Sequence, residues 1–209
     1  MNSSQDSVID RTRRPVEVPE VSPETPQWQT VDFKVQRQCH SNWCWAAVAA
    51  SVAAFSDAAS PFTQCVIANS ELERDDCCDF KCDDLNVNPD INVPFMLGSS
   101  LDLVDCLREE NPAQATRAQV LEEIAAGRPL CVLTIWSQDN PSHGRARGGA
   151  HFLAIVGYRA DTDVLALEDP FYGPTPEIGF ELFCDEYQVG AGRWDKTYYL
   201  SCDKNSAKA

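Results

Sequence analysis

No stretch of the 209-residue sequence approaches the roughly 20 consecutive apolar residues that a membrane-spanning helix requires; the Ala-rich run after Cys44 is too short and too weakly apolar. The N-terminus, MNSSQDSVIDRTRRPVEVPEVSPETPQWQ, lacks the apolar core of a secretory signal peptide. A soluble chain without a membrane partner is therefore expected, cytoplasmic or exported by a signal-less route; the sequence names no compartment. Basic residues are few, 17 Lys and Arg against 32 Asp and Glu, for a formal net charge of −15. Such a chain repels a phosphate backbone, which excludes nucleic acid as a general partner. There is no internal repeat.

What is there suffices for one domain of ordinary size, since 44% of the residues are hydrophobic. Residues 1–28 are polar, hold four prolines and show no sustained period, which reads as a disordered leader. The folded domain is expected over 29–203, with a disordered tail at 204–209. A helix over about Trp43 to Ser56 follows from its many alanines, with Ser41 or Asn42 as cap. The segment TRAQVLEEIAAGRP is a second helix: Thr116 caps it, Gln119 occupies the capping-box position, Gly127 ends it and Pro129 prevents its resumption. Between them, Glu71 to Glu110 carries twelve acidic residues against three basic ones, and reads as an irregular, solvent-facing stretch before a short helix near Leu101 to Arg108. Downstream the pattern changes to short apolar runs at 130–136, 150–158, 163–169 and 196–201, separated by Gly, Pro and Asp, as in antiparallel strands. Helices first and strands afterwards predict an α+β domain.

Ten cysteines are many for a reducing compartment, but number alone does not establish disulfides. Cys65, Cys77, Cys78 and Cys82 fall close together in a segment with little core of its own, so pairing among these four is expected under oxidising conditions. A metal site built from Cys77, Cys78, Cys82 and His40 is the competing reading, yet C-C-x3-C is not a common zinc spacing and no second knuckle accompanies it. No metal and no cofactor is expected.

The stretch QCHSNWCWAAVAASVAAF places Cys44 where the first helix begins. The positive end of a helix dipole favours thiolate over thiol, so Cys44 suits a nucleophile; alone, it reads as readily as a buried small hydrophobe. Gln38, six positions upstream, can carry its amide beside the thiol as an oxyanion donor, although a loop glutamine is usually just solvated. His151 follows RGGA and opens a strongly apolar strand. Asp169 ends the next strand, eighteen residues on, where a hairpin would set it beside His151 to hold one ring nitrogen while the other faces Cys44. Separately, His151 reads as a core histidine and Asp169-Pro170 as a turn. Together the four supply a nucleophile, a base, an orienting acid and an oxyanion donor. Trp43 and Trp45 read as packing for the helix start, and His40 and His143 as surface residues. The loop SHGRARGG reads as mobile, with Arg145 and Arg147 solvated.

The segments Q…SNWCWAA, QCVIAN, CC, GRPLCVLTIW, GGAHFLAIVGY and LEDPFYG resemble the papain-like cysteine proteases, in particular the bacterial branch that includes plant-pathogen effector proteases and relatives of bacteriocin-leader peptidases. The resemblance covers roughly residues 33 to 201. It implies a papain-like α+β fold: a helical lobe with Cys44 on its central helix, an antiparallel β lobe carrying His151 and Asp169, and a cleft between them, with Trp194 lining its primed side. The third member in that family is often Asn; Asp169 is the variant seen in the leader-peptidase type. The implied function is hydrolysis of peptide bonds in a protein or peptide substrate, by a monomer. Two alternatives stay open: the same triad used for deamidation, transglutamination or peptidoglycan amide hydrolysis, and a silent binding module that keeps the fold.

Overall fold

A computed structural model describes residues 28–82, 88–136, 149–188 and 191–202. The leader, the tail and most of the SHGRARGG loop, with His143, Arg145 and Arg147, lie outside the described residues.

Helix α1 (Cys44–Ser56) is the axis of the molecule. Its first ten residues are all buried, and eight of its thirteen residues are Ala or Ser, CWAAVAASVAAFS, so neighbours approach from several sides. A helix that is apolar all round belongs in a core. Its one buried hydroxyl is satisfied: Ser51 Oγ donates to Ala47 O at 2.6 Å and accepts from Gln36 N at 2.8 Å. Helices α2 (Gln64–Glu71) and α3 (Leu97–Leu103) pack against it to form the helical half. Trp43 and Trp45 are fully buried packing residues, as expected, and their indole N–H groups donate to Ile91 O at 2.7 Å and Val93 O at 3.1 Å.

The other half is one antiparallel sheet. It contains β1 (Gln29–Thr30), β2 (Leu107–Asn111), β3 (Leu130–Ile135), β4 (Ala150–Arg159), β5 (Val164–Glu168), β6 (Thr175–Gly179) and β7 (Arg193–Leu200), in the order β2-β7-β3-β4-β5-β6. Strand β3 covers β4 from Ala150 to Ile155, and the short β1 takes over beside Gly157 and Tyr158. Strand β4 is thus central, buried over eight of its ten residues, and α1 packs upon it. Helix α4 (Arg117–Ala125) begins with the expected box, Thr116 and Gln119 satisfying each other's backbone N–H groups, and Gly127 follows its end at φ 76°. Helix α5 (Phe180–Glu186) links β6 to the β7 side.

The α+β expectation holds, with three local corrections. The helix near 101–108 lies earlier, at Leu97–Leu103, because Asp105 turns the chain through φ 58°; Leu107 to Asn111 then pair with β7 as an exposed edge strand. Trp194 is not a cleft wall: it is buried between the Phe180 and Phe183 rings, with centroids 6.0 and 5.4 Å away. His40 is not a surface residue either; it is buried edge-on against Trp43 at 4.4 Å. Among the described residues no helix is long and apolar enough to cross a membrane.

Two disulfides brace the helical half. Cys65 pairs with Cys78, inside the expected group, whereas Cys82 reaches back to Cys39 and Cys77 stays a buried free thiol. The competing metal reading loses two of its thiolates to these bonds.

Candidate active site

Cys44 is the first residue of α1, and no side chain caps that end: Trp43 stands at the N-cap position with φ −99° and ψ 25°, and only its backbone carbonyl accepts, from Ala47 N at 2.9 Å. The expected caps are engaged elsewhere. Asn42 donates through Nδ2 to Asn92 O at 2.7 Å and through its backbone N to Asn92 Oδ1 at 3.0 Å, while Ser41 Oγ accepts from Asn92 Nδ2 at 2.9 Å. The sulfur of Cys44 therefore sits at the positive end of a buried 13-residue helix whose leading N–H groups lack a side-chain acceptor.

His151 lies in β4 opposite Thr134 of β3, held in a strand whose backbone is paired on both sides. Its Nε2 hydrogen-bonds Asp169 Oδ1 at 2.9 Å, which leaves Nδ1 for the neighbouring thiol of Cys44. Burial opposes a charged imidazole here, but the bond to Asp169 and the neighbouring Cys44 outweigh it and raise the His151 pKa from 6.5 to about 9. The rings of Trp136 and Tyr172 stand 6.5 and 6.2 Å from the imidazole and screen it from water.

Asp169 follows β5 and is almost completely buried. Its Oδ1 also accepts from the backbone N of Phe171 at 2.7 Å and of Tyr172 at 2.8 Å, and its Oδ2 accepts from Tyr187 Oη at 2.7 Å. Burial alone would raise the carboxyl pKa; the hydrogen bond and charge of His151, with these donors, hold it below the usual 3.8. The adjacent Glu168 turns to the opposite face of the strand, where it pairs with Lys34 at 2.8 Å.

Gln38 joins the two halves. Its backbone N donates to Pro170 O at 2.9 Å, fastening the loop before α1 to the turn after Asp169. Its side chain is buried, with Nε2 donating to His40 O at 2.9 Å and Ser41 O at 2.7 Å, and its Oε1 has no hydrogen-bond partner among the described residues. The loop is braced further by the Cys39–Cys82 disulfide and by Gln64, whose Oε1 accepts from Cys39 N at 2.9 Å while its Nε2 donates to Arg37 O at 2.8 Å.

Cys44, His151 and Asp169 thus converge in one place, with Gln38 in the adjoining loop. Tyr187, Gln64 and Asn92 also hold this site, and sequence reasoning missed all three: each acts through a contact many residues away, and although Gln64 opens the QCVIAN segment, nothing there marked the glutamine itself.

Among solved structures, xylellain, a cysteine protease from Xylella fastidiosa, aligns over 83% of this chain and 85% of its own, with 12% identity and a TM-score of 0.47. No curated protein matches the sequence. The sequence profile of the family described as papain-like cysteine protease AvrRpt2 matches residues 25–188. With more than half its length matched, the chain belongs to the papain-like cysteine protease AvrRpt2 family and is a cysteine peptidase of the effector-protease branch.

Proposed function

We propose that the protein cleaves peptide bonds through a Cys44–His151–Asp169 triad, with Gln38 and the Cys44 backbone N–H receiving the oxyanion, within a protease domain over residues 29–203 that acts as a monomer. The observation that carries this reading is His151 held between two partners, Nε2 on Asp169 at 2.9 Å and the Cys44 thiol at the other side, with Cys44 opening a buried helix.

The thiolate of Cys44 attacks the scissile carbonyl carbon, and the electron pair of the C=O bond moves to oxygen. That oxygen meets the backbone N–H of Cys44, which as the first helical residue has no acceptor within the helix. Gln38 contributes by exchange: an oxyanion is a stronger acceptor than the neutral carbonyls of His40 and Ser41 and takes over one of the two N–H bonds they hold. Collapse breaks the C–N bond as the His151 imidazolium gives its proton to the leaving amine, and a thioester to Cys44 remains. His151 then removes a proton from water, whose oxygen attacks the thioester and returns Cys44 to the thiolate. Asp169 keeps Nδ1 directed at the sulfur throughout.

N-terminal labelling of a protein extract treated with wild type and with Cys44→Ala tests the reading. New N-termini formed only by the wild type support it; identical sets of termini, with both proteins folded by circular dichroism, refute it.

A further inference from the structure

We propose that Tyr187 is a positioning residue of this protease, governing how much negative charge Asp169 presents to His151; this rests on the triad assigned above. The two oxygens of the Asp169 carboxylate are served unequally. Oδ1 accepts from His151 Nε2 and from the backbone N of Phe171 and Tyr172, whereas Oδ2 accepts from Tyr187 Oη at 2.7 Å. Phenol and imidazole therefore draw on one buried charge from opposite ends. Burial and the adjacent Asp169 raise the Tyr187 pKa well above its usual 10, so the hydroxyl keeps its proton and remains a donor wherever the enzyme works.

The tyrosine is held for this task. It is fully buried, its ring packs edge-on against Phe183 at 5.2 Å, and its backbone exchanges two hydrogen bonds with Gly192, at 2.8 and 2.9 Å. Position 192 must be glycine: a Cβ there would come within 2.7 Å of the Trp136 indole. Trp136 is the same ring that stands beside His151. One closure thus sets the tyrosine on the acid and the tryptophan on the base. The backbone donors on Oδ1 keep the carboxylate in place without Tyr187, so deleting the hydroxyl concentrates charge on the His151 side and strengthens the hold on the imidazolium.

Carboxymethylation of Cys44 by iodoacetate reads this directly and needs no substrate. The anionic reagent reacts fastest with the thiolate–imidazolium pair, so the alkaline limb of its pH–rate profile reports proton loss from His151. Tyr187→Phe is expected to move that limb upward by on the order of half a pH unit, about a threefold gain in relative rate just above the wild-type limb. The same change in an Asp169→Asn background, where no carboxylate charge remains, is expected to shift nothing. Should Tyr187→Phe not fold, 3-fluorotyrosine placed at 187, a stronger donor of nearly the same shape, is expected to move the limb downward. An unmoved limb in the folded variant, or an equal shift in the Asp169→Asn background, overturns the proposal. If mass spectrometry finds the carboxymethyl group elsewhere than on Cys44, the nucleophile assignment fails and takes this proposal with it; labelling of Cys44 with an unmoved limb sinks this proposal alone.

Discussion

In the proposed site, the nucleophile side and the base side are held by different means. Cys44 and Gln38 depend on an irregular loop fixed by side chains and one covalent bond: the Cys39–Cys82 disulfide, the Gln64 amide and the Asn42–Asn92 pair. His151 and Asp169 depend on backbone, through the β3–β4–β5 ladders and the Phe171 and Tyr172 N–H groups. The difference teaches that each side answers to a different perturbation. Reductant and loop substitutions act on the oxyanion side, and pH acts on the base side. The Gln38 N–Pro170 O bond is one direct seam between them.

The sharpest break comes from the base side. His151→Ala should lower kcat/KM by about 10⁴-fold or more, as loss of a triad member does, with the far-ultraviolet circular dichroism unchanged. On the oxyanion side Gln38→Ala should cost about 10²- to 10³-fold in kcat. Part of that loss arises in the loop itself, because the His40 and Ser41 carbonyls lose their donor. A kcat equal to wild type would remove Gln38 from the oxyanion site while leaving Cys44 and His151 in place.

Smaller effects separate the two sides. Cys39→Ser with Cys82→Ser opens a link spanning 43 residues, for which chain entropy predicts about 4 kcal/mol of lost stability. Activity at a temperature where the variant is still folded should fall about tenfold as the Gln38 loop loosens. Iodoacetate should still report the His151 limb at its wild-type pH, since the ladders are untouched; a moved limb would join what the comparison keeps apart.

The last prediction concerns pH alone. His151 has a folded pKa of about 9, above its usual 6.5, so its stabilising contribution is complete below 6.5 and is lost as the pH rises through about 9. Asp169 has a folded pKa below 3.8, so its contribution is present above 3.8 and is lost as the pH falls through the lowered value. Thermal unfolding of wild type and Asp169→Asn should therefore differ most between these limits, and the two Tm values should converge outside them. A difference that is constant with pH would mean that the pair adds nothing to stability through charge.

Much of this candidate site was legible because its parts are announced locally. A cysteine at the start of an alanine helix, a histidine opening an apolar strand and an aspartate before proline each carry a signal within a few residues. The α4 helix was readable for the same reason, with cap, box and terminal glycine all in TRAQVLEEIAAG. What stayed hidden is held by distant contacts. LREEN pairs as an edge strand with most of its residues exposed, so no apolar alternation marks it. Cys39 and Cys82 meet only in the fold, and Tyr187 finds Asp169 across an intervening strand and helix. Ser41 and Asn42 look like caps by type, but Asn92 claims both.

The slimness of α1 has a consequence for how the gene can vary. Ala46, Ala47, Ala49 and Ala50 are wholly enclosed, so every enlargement there overpacks a contact and costs about 1–3 kcal/mol. Because the helix begins at Cys44, the displacement also reaches the sulfur. A saturation-mutagenesis map should thus show a block of intolerance running almost two turns beyond Cys44, at positions whose side chains bear no functional group.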